Sequence, residues 1–238
     1  RDIAMTFVLG DIGWGEGLQT ARDLLDDADV PYVPVIGDNV IQAGDEERFD
    51  AMFAERYEQL DAMFPGWTQA STPSHNPEHD TDSWFQNFSF DHQGVHFVGL
   101  DWCSREMGTL FSEIGTLHDF EGGSWPWFEA DIDAAVAQGG AQESVVMLTH
   151  IPMFMGPGGF DEADWTEIVG FTSPRADAVA ANYAGHFHGN TEESFSDAGF
   201  ELYITAATWD DEVTVRLVEV WGNGLRFEYH GEVVEWDW

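Results

Sequence analysis

The sequence AMTFVLGD, residues 4–11, runs from apolar residues into a glycine and an acid, Gly10-Asp11. A short apolar run that ends in this way is typical of a buried strand leading into a loop. The pattern returns in VPYVPVI, residues 30–36, which is followed by Gly37-Asp38-Asn39. Between the two, residues 17–28 place apolar side chains at helical spacing, which predicts an amphipathic helix. A strand, a helix and a second strand therefore open an α/β pattern.

The pattern continues outward from these two strands. A helix is predicted at residues 46–64, another begins at Ser124 as its cap, and a short one lies around residues 175–181. A polar loop occupies residues 65–83 and a tight turn residues 91–94. Further strands are predicted at residues 84–90, 95–101, 144–149, 202–206, 213–220 and 225–230. Together they predict one α/β domain, residues 1–238, with a mixed sheet or a pair of sheets.

The charge of the chain is extreme. Its 238 residues include 45 acidic side chains and eight arginines but no lysine, so the net charge is -37 and the isoelectric point about 4.1. Such charge opposes the compact state at ordinary salt, whereas in molar salt the Debye length falls to about 3 Å and screens the repulsion. We therefore expect a halophilic protein, with an acidic protein from a moderate habitat as the alternative. The acidity also argues against nucleic-acid binding.

The cellular location is poorly determined by the sequence. Cys103 is the only cysteine, which excludes an intramolecular disulfide and a zinc-thiolate cluster. No apolar run approaches the roughly 20 residues that span a bilayer, and no signal peptide is visible. The chain begins at Arg1, which leaves open an upstream segment that was removed. We expect a soluble protein, either from the cytoplasm of a halophile or secreted after signal removal, with no membrane or protein partner evident.

Polar residues follow four of the predicted strands, where open α/β sheets build their active sites. These positions are Asp11, Asp38-Asn39, His150 and the His186-Phe187-His188 segment. Each alone has an ordinary structural interpretation as a turn, cap or core residue, and alternate residues of a strand face opposite ways. Their combination in one chain predicts a shared metal site.

The residue types of this site indicate which metal it would bind. Carboxylates combined with neutral imidazoles suit Mn, Fe, Zn or Ni better than Mg or Ca, which favour oxygen ligands alone. A metal held in this way lowers the pKa of a bound water to about 7 and neutralises charge on a phosphoryl group. The residue types therefore predict hydrolytic chemistry by a metal-activated hydroxide.

Four stretches resemble, in order, the motifs of calcineurin-like metallophosphoesterases. They are VLGD at residues 8–11, VIGDN at residues 35–39, LTHIP at residues 148–152 and AGHFH at residues 184–188. The resemblance covers residues 4–230, and its most specific element is the closing Gly-His-x-His. It implies a four-layer α/β/β/α sandwich with mixed sheets and a two-metal site that hydrolyses phosphomonoesters or phosphodiesters.

The resemblance also implies a role for each site residue. Asp11 corresponds to the aspartate that bridges the two metals, and Asp38 stands where the family has a metal-binding asparagine. His150 and His186 correspond to ligands of the same metal, and His188 to a ligand of the other. Asn39 occupies the place of the family's catalytic histidine, so the resemblance places Asn39 and His150 in the catalytic machinery.

The sequence departs from the family at two points. No Asp-x-His motif precedes Gly10, so either a first strand is missing or one metal is held well and the other weakly. Asn39 can donate a hydrogen bond but cannot transfer a proton at neutral pH, so we expect reduced activity or a preference for good leaving groups. One alternative is a metal- or phosphate-binding protein of the same fold with little turnover, and another is an unrelated metallohydrolase.

Five other residues are weaker candidates for contacting a substrate. His75, His79 and His92 lie in predicted loops or turns and could replace the missing acid, although a surface role is favoured for each. Arg105 and Arg175 could hold a phosphate through their bidentate guanidinium groups. An ion pair with an acid of the same protein accounts equally well for either arginine.

Overall fold

The two strands that end in Gly-Asp lie side by side. In the computed structural model, β1 (Thr6–Leu9) and β2 (Tyr32–Val35) form a parallel pair joined by helix α1 (Glu16–Asp27). Because the strands are parallel, the residues that follow them, Asp11 and Asp38, leave the pair at the same end. Among the described residues β1 pairs with β2 alone.

The structure describes residues 3–28, 30–70, 73–77, 80–105, 113–119, 123–139, 144–208, 212–222 and 227–237. The other helices are α2 (Asp38–Gln42), α3 (Glu46–Met63), α4 (Ser124–Gly139) and α5 (Glu162–Thr172). The sequence predicted α1, α3 and α4 but not α2 or α5. Ser124 begins its helix, and its hydroxyl donates a hydrogen bond to the carbonyl of Asp101. In the described part of the chain, every helix is too short or too polar to cross a bilayer.

Within the described residues, the main sheet has seven strands in the order β10-β11-β9-β8-β7-β6-β3. Four central strands are parallel, and β3, β6 and β10 are antiparallel to their neighbours, so the sheet is mixed as predicted. The strands are β3 (Thr68–Gln69), β6 (Phe88–His92), β7 (Val95–Leu100), β8 (Ser144–Thr149), β9 (Val179–Ala184), β10 (Thr191–Phe195) and β11 (Phe200–Ile204).

Two antiparallel pairs complete the described strands. One pair is β4 (Ser74–Asn76) with β5 (Thr81–Ser83), inside the segment predicted as a polar loop. The other is β12 (Glu212–Gly222) with β13 (Phe227–Asp237), where two strands were predicted. Residues 223–226, which connect β12 to β13, lie outside the described residues.

Both faces of the main sheet are covered by buried apolar side chains. One face packs against β2, α1 and α3, and in this layer Phe7 of β1 lies 5.2 Å from Phe97 of β7 between ring centroids. The other face packs against α4 and α5 through residues such as Phe128 and Ile168. This arrangement of helices on either side of two sheets confirms the predicted α/β sandwich.

The helix predicted around residues 175–181 is wrong. Only Ser173–Arg175 forms a single 3-10 turn, and Val179–Ala184 is strand β9 at the centre of the sheet. Alanines gave this segment a helical appearance, but β9 pairs with β8 on one side and β11 on the other. Burial between two parallel strands therefore overrides the local preference of the segment.

Candidate metal centre

The carboxyl ends of four strands, two from each sheet, meet at one edge of the sandwich. Asp11 follows β1, Asp38 follows β2, His150 follows β8, and His186 lies two residues beyond β9. Hydrogen bonds hold the ends together, because the amide of Gly185 donates to the carbonyl of His150 over 3.2 Å. The site predicted from separate strand ends is therefore drawn into one place by the fold.

Three of the predicted ligands form a compact group. Nε2 of His150 lies 2.8 Å from Oδ1 of Asp38, and Nδ1 of His186 lies 3.6 Å from the same oxygen. One ligand atom from each of the three residues falls within 4.8 Å of the other two. Asp38 and His150 are buried and His186 is half-buried. Asp38, His150 and His186 could therefore hold one metal ion between them.

A backbone hydrogen bond fixes the orientation of the His150 ring. Its Nδ1 lies 2.8 Å from the carbonyl oxygen of Leu9, which can only accept a hydrogen bond. In the neutral ring the proton is therefore on Nδ1, and the lone pair of Nε2 faces Asp38. This is the arrangement that metal-binding histidines commonly adopt.

Asp11 lies beside this group and is held by Asn39. Its Oδ2 is 3.4 Å from Nε2 of His150. The backbone amide of Asn39 donates to Oδ1 of Asp11 over 3.1 Å, and the Asn39 side-chain amide donates to Oδ2. The side chain of Asn39 therefore orients Asp11, a predicted metal ligand.

Two glycines make the close approach of these strands feasible. A Cβ atom on Gly10 would lie 2.2 Å from Nδ1 of His150, and one on Gly37 would lie 2.2 Å from Oδ1 of Asp11. Gly10 also has a φ of +90°, a conformation that favours glycine. Each Gly-Asp pair therefore needs its glycine, because a residue from another strand end occupies the space that a side chain would fill.

The buried charges of the site shift one another. Burial opposes ionisation of Asp38, but hydrogen bonds and positive charge from His150 and His186 lower the pKa of its carboxyl well below the ordinary range. Burial likewise disfavours the protonated form of His150, but the hydrogen bond to Asp38 and the charges of Asp11 and Asp38 raise its pKa. The carboxylate of Asp38 is therefore ionised, and it faces the imidazole of His150, whose protonated form it stabilises.

The second histidine of the His-x-His pair stands apart from the group. His186 has a φ of +66° and lies in a bend, so the chain turns between the two histidines. His188 is exposed and is not one of the three residues that converge. Its predicted role as a ligand of a second metal remains a prediction.

Two contributors to the site were missed by the sequence analysis. One is the carbonyl of Leu9, which has no side-chain signature. The other is Gln42, whose Nε2 donates to Oδ2 of Asp38 over 2.9 Å. Gln42 stands four residues after Asp38 in α2, so the i to i+4 spacing of a helix was the signal that could have revealed it.

Arg105 is committed to acids of its own chain. Its buried guanidinium donates to both carboxylate oxygens of Asp101, at 2.9 and 2.6 Å, and to Oε2 of Glu46 at 3.1 and 3.2 Å. The group also lies over the ring of Phe85, 4.4 Å from its centroid. Of the two accounts offered for Arg105, the ion pair is the one that the structure supports.

The remaining candidates lie in other surroundings. Arg175 pairs with Asp133 and stacks on Phe171, with 3.8 Å between the guanidinium carbon and the ring centroid. His75 is exposed beside two aspartates of the β4–β5 pair. His92 pairs with the first residue of β7, at the opposite end of that strand from the metal site. His79 lies outside the described residues.

Comparison with known protein families and with curated proteins finds no match for the chain. Three solved structures share features of the fold. TT1561 of Thermus thermophilus is 11% identical, with 95% of this chain and 85% of that chain covered and a TM-score of 0.48. Sulfate thiohydrolase SoxB of the same organism is 14% identical, with 92% and 35% covered and a TM-score of 0.43.

The third structure is phosphopantetheinyl hydrolase PptH from Mycobacterium tuberculosis, which is 13% identical, with 84% of this chain and 77% of that chain covered and a TM-score of 0.37. The chain spans about a third of the SoxB chain that it resembles. We draw no functional inference from likenesses at these identities and TM-scores.

Proposed function

We propose that this protein is a metal-dependent hydrolase of phosphate esters, adapted to concentrated salt. The observation that carries the proposal is the convergence of Asp38, His150 and His186, with their ligand atoms within 4.8 Å of one another. Such a group sits at the edge of an α/β sandwich where catalytic sites are commonly built. Its small phosphorylated substrate would not be a nucleic acid, given the net charge of -37.

The donor set fits a divalent transition metal. Two imidazole nitrogens and a carboxylate oxygen suit Mn, Fe, Zn or Ni better than Mg or Ca. The carboxylate of Asp38 is ionised, and Nε2 of His150, which shares a hydrogen bond with it, would bind the metal on losing its proton. Asp11 would supply a fourth ligand, since its Oδ2 lies 3.4 Å from that nitrogen.

The residues around these ligands position them for catalysis. When bound, the metal would supply an acidified water as nucleophile and would stabilise charge on the phosphoryl group. Leu9 fixes the ring of His150, and Gln42 fixes the carboxylate of Asp38. Asn39 orients Asp11 and cannot protonate a leaving group. We therefore expect the enzyme to favour esters whose alcohols leave without protonation.

A single well-held metal suffices for this proposal. The second metal implied by the family resemblance would rely on Asp11 and His188, and His188 is exposed. We propose that a second ion binds more weakly than the first. Metal titration followed by elemental analysis would separate one site from two.

Two specific observations favour a second candidate function. The side-chain amide of Asn39 donates to Asp11, and the guanidinium groups of Arg105 and Arg175 pair with acids of the same chain. These contacts leave the site with few groups for a transition state. They favour the alternative of a metal- or phosphate-binding protein with little turnover.

One experiment separates the two functions. The protein is purified in molar salt, stripped of metal, and reloaded with Mn, Ni, Zn or Mg. Hydrolysis of an activated phosphomonoester and an activated phosphodiester is then measured beside the metal content of the same samples. We expect turnover that requires Mn, Ni or Zn and follows the bound metal. Full metal binding without turnover of either ester would leave only the binding protein.

A further inference from the structure

An apolar surface adjoins the candidate metal centre. Phe187 follows His186 directly, is 36% exposed, and its ring lies 5.0 Å from the imidazole between centroids. Phe154 lies 5.8 Å from Phe187, and the next residue, Met155, is 54% exposed. The chain has a net charge of -37, yet these apolar side chains are grouped on the loops that carry His150 and His186. An exposed apolar group of this kind indicates a binding surface.

A cavity of about 370 Å³ continues this surface. The loop after β8 connects the apolar surface to the cavity. A Cβ atom on Gly158 would lie 3.2 Å from Nε2 of His186, and the next residue, Gly159, lines the cavity. Met155 belongs both to the exposed surface and to the cavity wall. The side chains that line the cavity are Ile114, Thr116, Met155, Phe160, Asp161, Glu162 and Asp164.

The lining of this cavity combines apolar and acidic side chains. Ile114, Met155 and Phe160 supply the apolar contact, and Met155 has the flexible thioether that adapts to ligands of different shape. Asp161 and Asp164 stand at the start of α5, where each accepts a backbone hydrogen bond. Carboxylates at this position would repel an anionic group that entered the cavity.

We propose that the cavity binds the organic part of the substrate, and that this part is large, apolar and free of negative charge. The proposal rests on the proposed function, since the metal centre would hold the phosphate while the cavity holds the alcohol. Its volume falls within the range of about 300–1,000 Å³ that is usual for small-molecule sites. With Arg105 and Arg175 engaged elsewhere, apolar contact with the cavity would supply affinity for the alcohol beside the metal centre's hold on the phosphate.

Binding of non-hydrolysable phosphonates tests this inference. The metal-loaded protein is titrated calorimetrically with methylphosphonate, naphthylmethylphosphonate and a carboxylated naphthylmethylphosphonate. We expect the neutral naphthyl compound to bind about tenfold more tightly than either of the others. Equal affinity for the methyl and naphthyl compounds, or tighter binding of the carboxylated one, would overturn the proposal.

Paired variants locate the effect. Met155→Asp places a charge in the cavity wall, and Met63→Asp makes the same change at an exposed methionine at the end of α3, where Met63 is 46% exposed. The first variant should lose the preference for the naphthyl compound, and the second should keep it. Retention of the preference in Met155→Asp would remove this cavity from substrate binding.

The outcome separates this inference from the proposed function. Turnover of small activated esters without a naphthyl preference would leave the hydrolase standing and sink the cavity proposal. Binding of naphthylmethanol that depends on Met155, in a protein that hydrolyses no ester, would do the reverse. The alcohol alone serves as the probe in that second measurement, because it needs no metal.

Discussion

The Nδ1 atom of His150 donates its proton to the carbonyl of Leu9, 2.8 Å away, and this bond joins the end of β1 to the end of β8. It brings together two residues 141 positions apart in the chain. It also leaves Nε2 as the only ring nitrogen that can bind a metal. The contact therefore links the packing of the two sheets to the chemistry of the site.

His150→Ala should abolish metal binding, because it removes one of the three converging ligands and leaves too few donors to hold the ion. The measurement is metal stoichiometry after dialysis in molar salt. His118→Ala is the matched control, since His118 is an exposed histidine paired with Glu167. An unchanged stoichiometry in His150→Ala would exclude His150 as a ligand.

Gly37→Ala should destabilise the fold by about 1–3 kcal/mol, because its methyl group would meet Asp11. The φ of Gly37 is -121°, which any residue adopts, so the effect arises from crowding alone. Gly170→Ala, in α5 with open space around it, should instead stabilise by about 0.5–1 kcal/mol. Denaturant unfolding compares the two, and equal effects would contradict the predicted contact.

Arg105→Met should cost about 3–5 kcal/mol, because it leaves Asp101 and Glu46 buried without their counter-charge. Arg175→Met removes an ion pair at the surface with Asp133 and should cost less than about 1 kcal/mol. Unfolding free energies of both variants, measured at one salt concentration, check the difference. A cost for Arg105→Met no larger than that for Arg175→Met would show that the buried pair contributes little.

His96 should make stability depend on pH. Its ring lies 2.7 Å from Asp91 and 2.9 Å from Asp131, and although burial lowers its pKa, these two carboxylates raise it above the ordinary value of 6.5. The interaction of His96 with the two carboxylates therefore stabilises the fold fully below pH 6.5. This contribution is lost as the pH rises through the folded-state pKa of His96.

The check for His96 is the difference in thermal midpoint between the wild type and His96→Gln, measured at a series of pH values. This difference should shrink as the pH rises. The contribution of His150, whose pKa is also raised, is common to both proteins and cancels. A difference that is constant with pH would mean that His96 does not titrate in this range.

Stability should rise with salt from dilute to molar concentrations, since the Debye length shortens from about 10 Å at 0.1 M to about 3 Å at 1 M. The net charge of -37 then repels itself over a shorter range. Thermal midpoints in a series of KCl concentrations measure the effect. A midpoint that stays flat or falls would contradict adaptation to concentrated salt.

The strand ends were the most predictable part of the site. Gly10-Asp11 and Gly37-Asp38 follow apolar runs, and the sequence placed both at the ends of buried strands because local pattern and burial agree there. His150 was predicted on the same grounds. Strand β9 was not, because its alanines carry a weak local preference and its extended shape depends on its neighbours in the sheet.

The geometry among the ligands could not be predicted from spacing. The resemblance assigned His186 and His188 to different metals, but spacing could not show that the bend at His186 separates a half-buried ring from an exposed one. The hydrogen bond to Leu9 involves a backbone atom that no residue type reveals. For Arg105 the sequence left a phosphate ligand and an ion pair equally open, because one of its partners, Glu46, lies 59 positions away in the chain.

The space left by the two glycines should couple distant positions of the chain during evolution. Gly10 leaves space for His150, and Gly37 leaves space for Asp11, so a side chain at either glycine would displace the residue opposite. Each glycine should therefore be inherited together with its facing residue. A side chain at position 10 or position 37 in a descendant would therefore mark a site whose strand ends no longer meet as they do here.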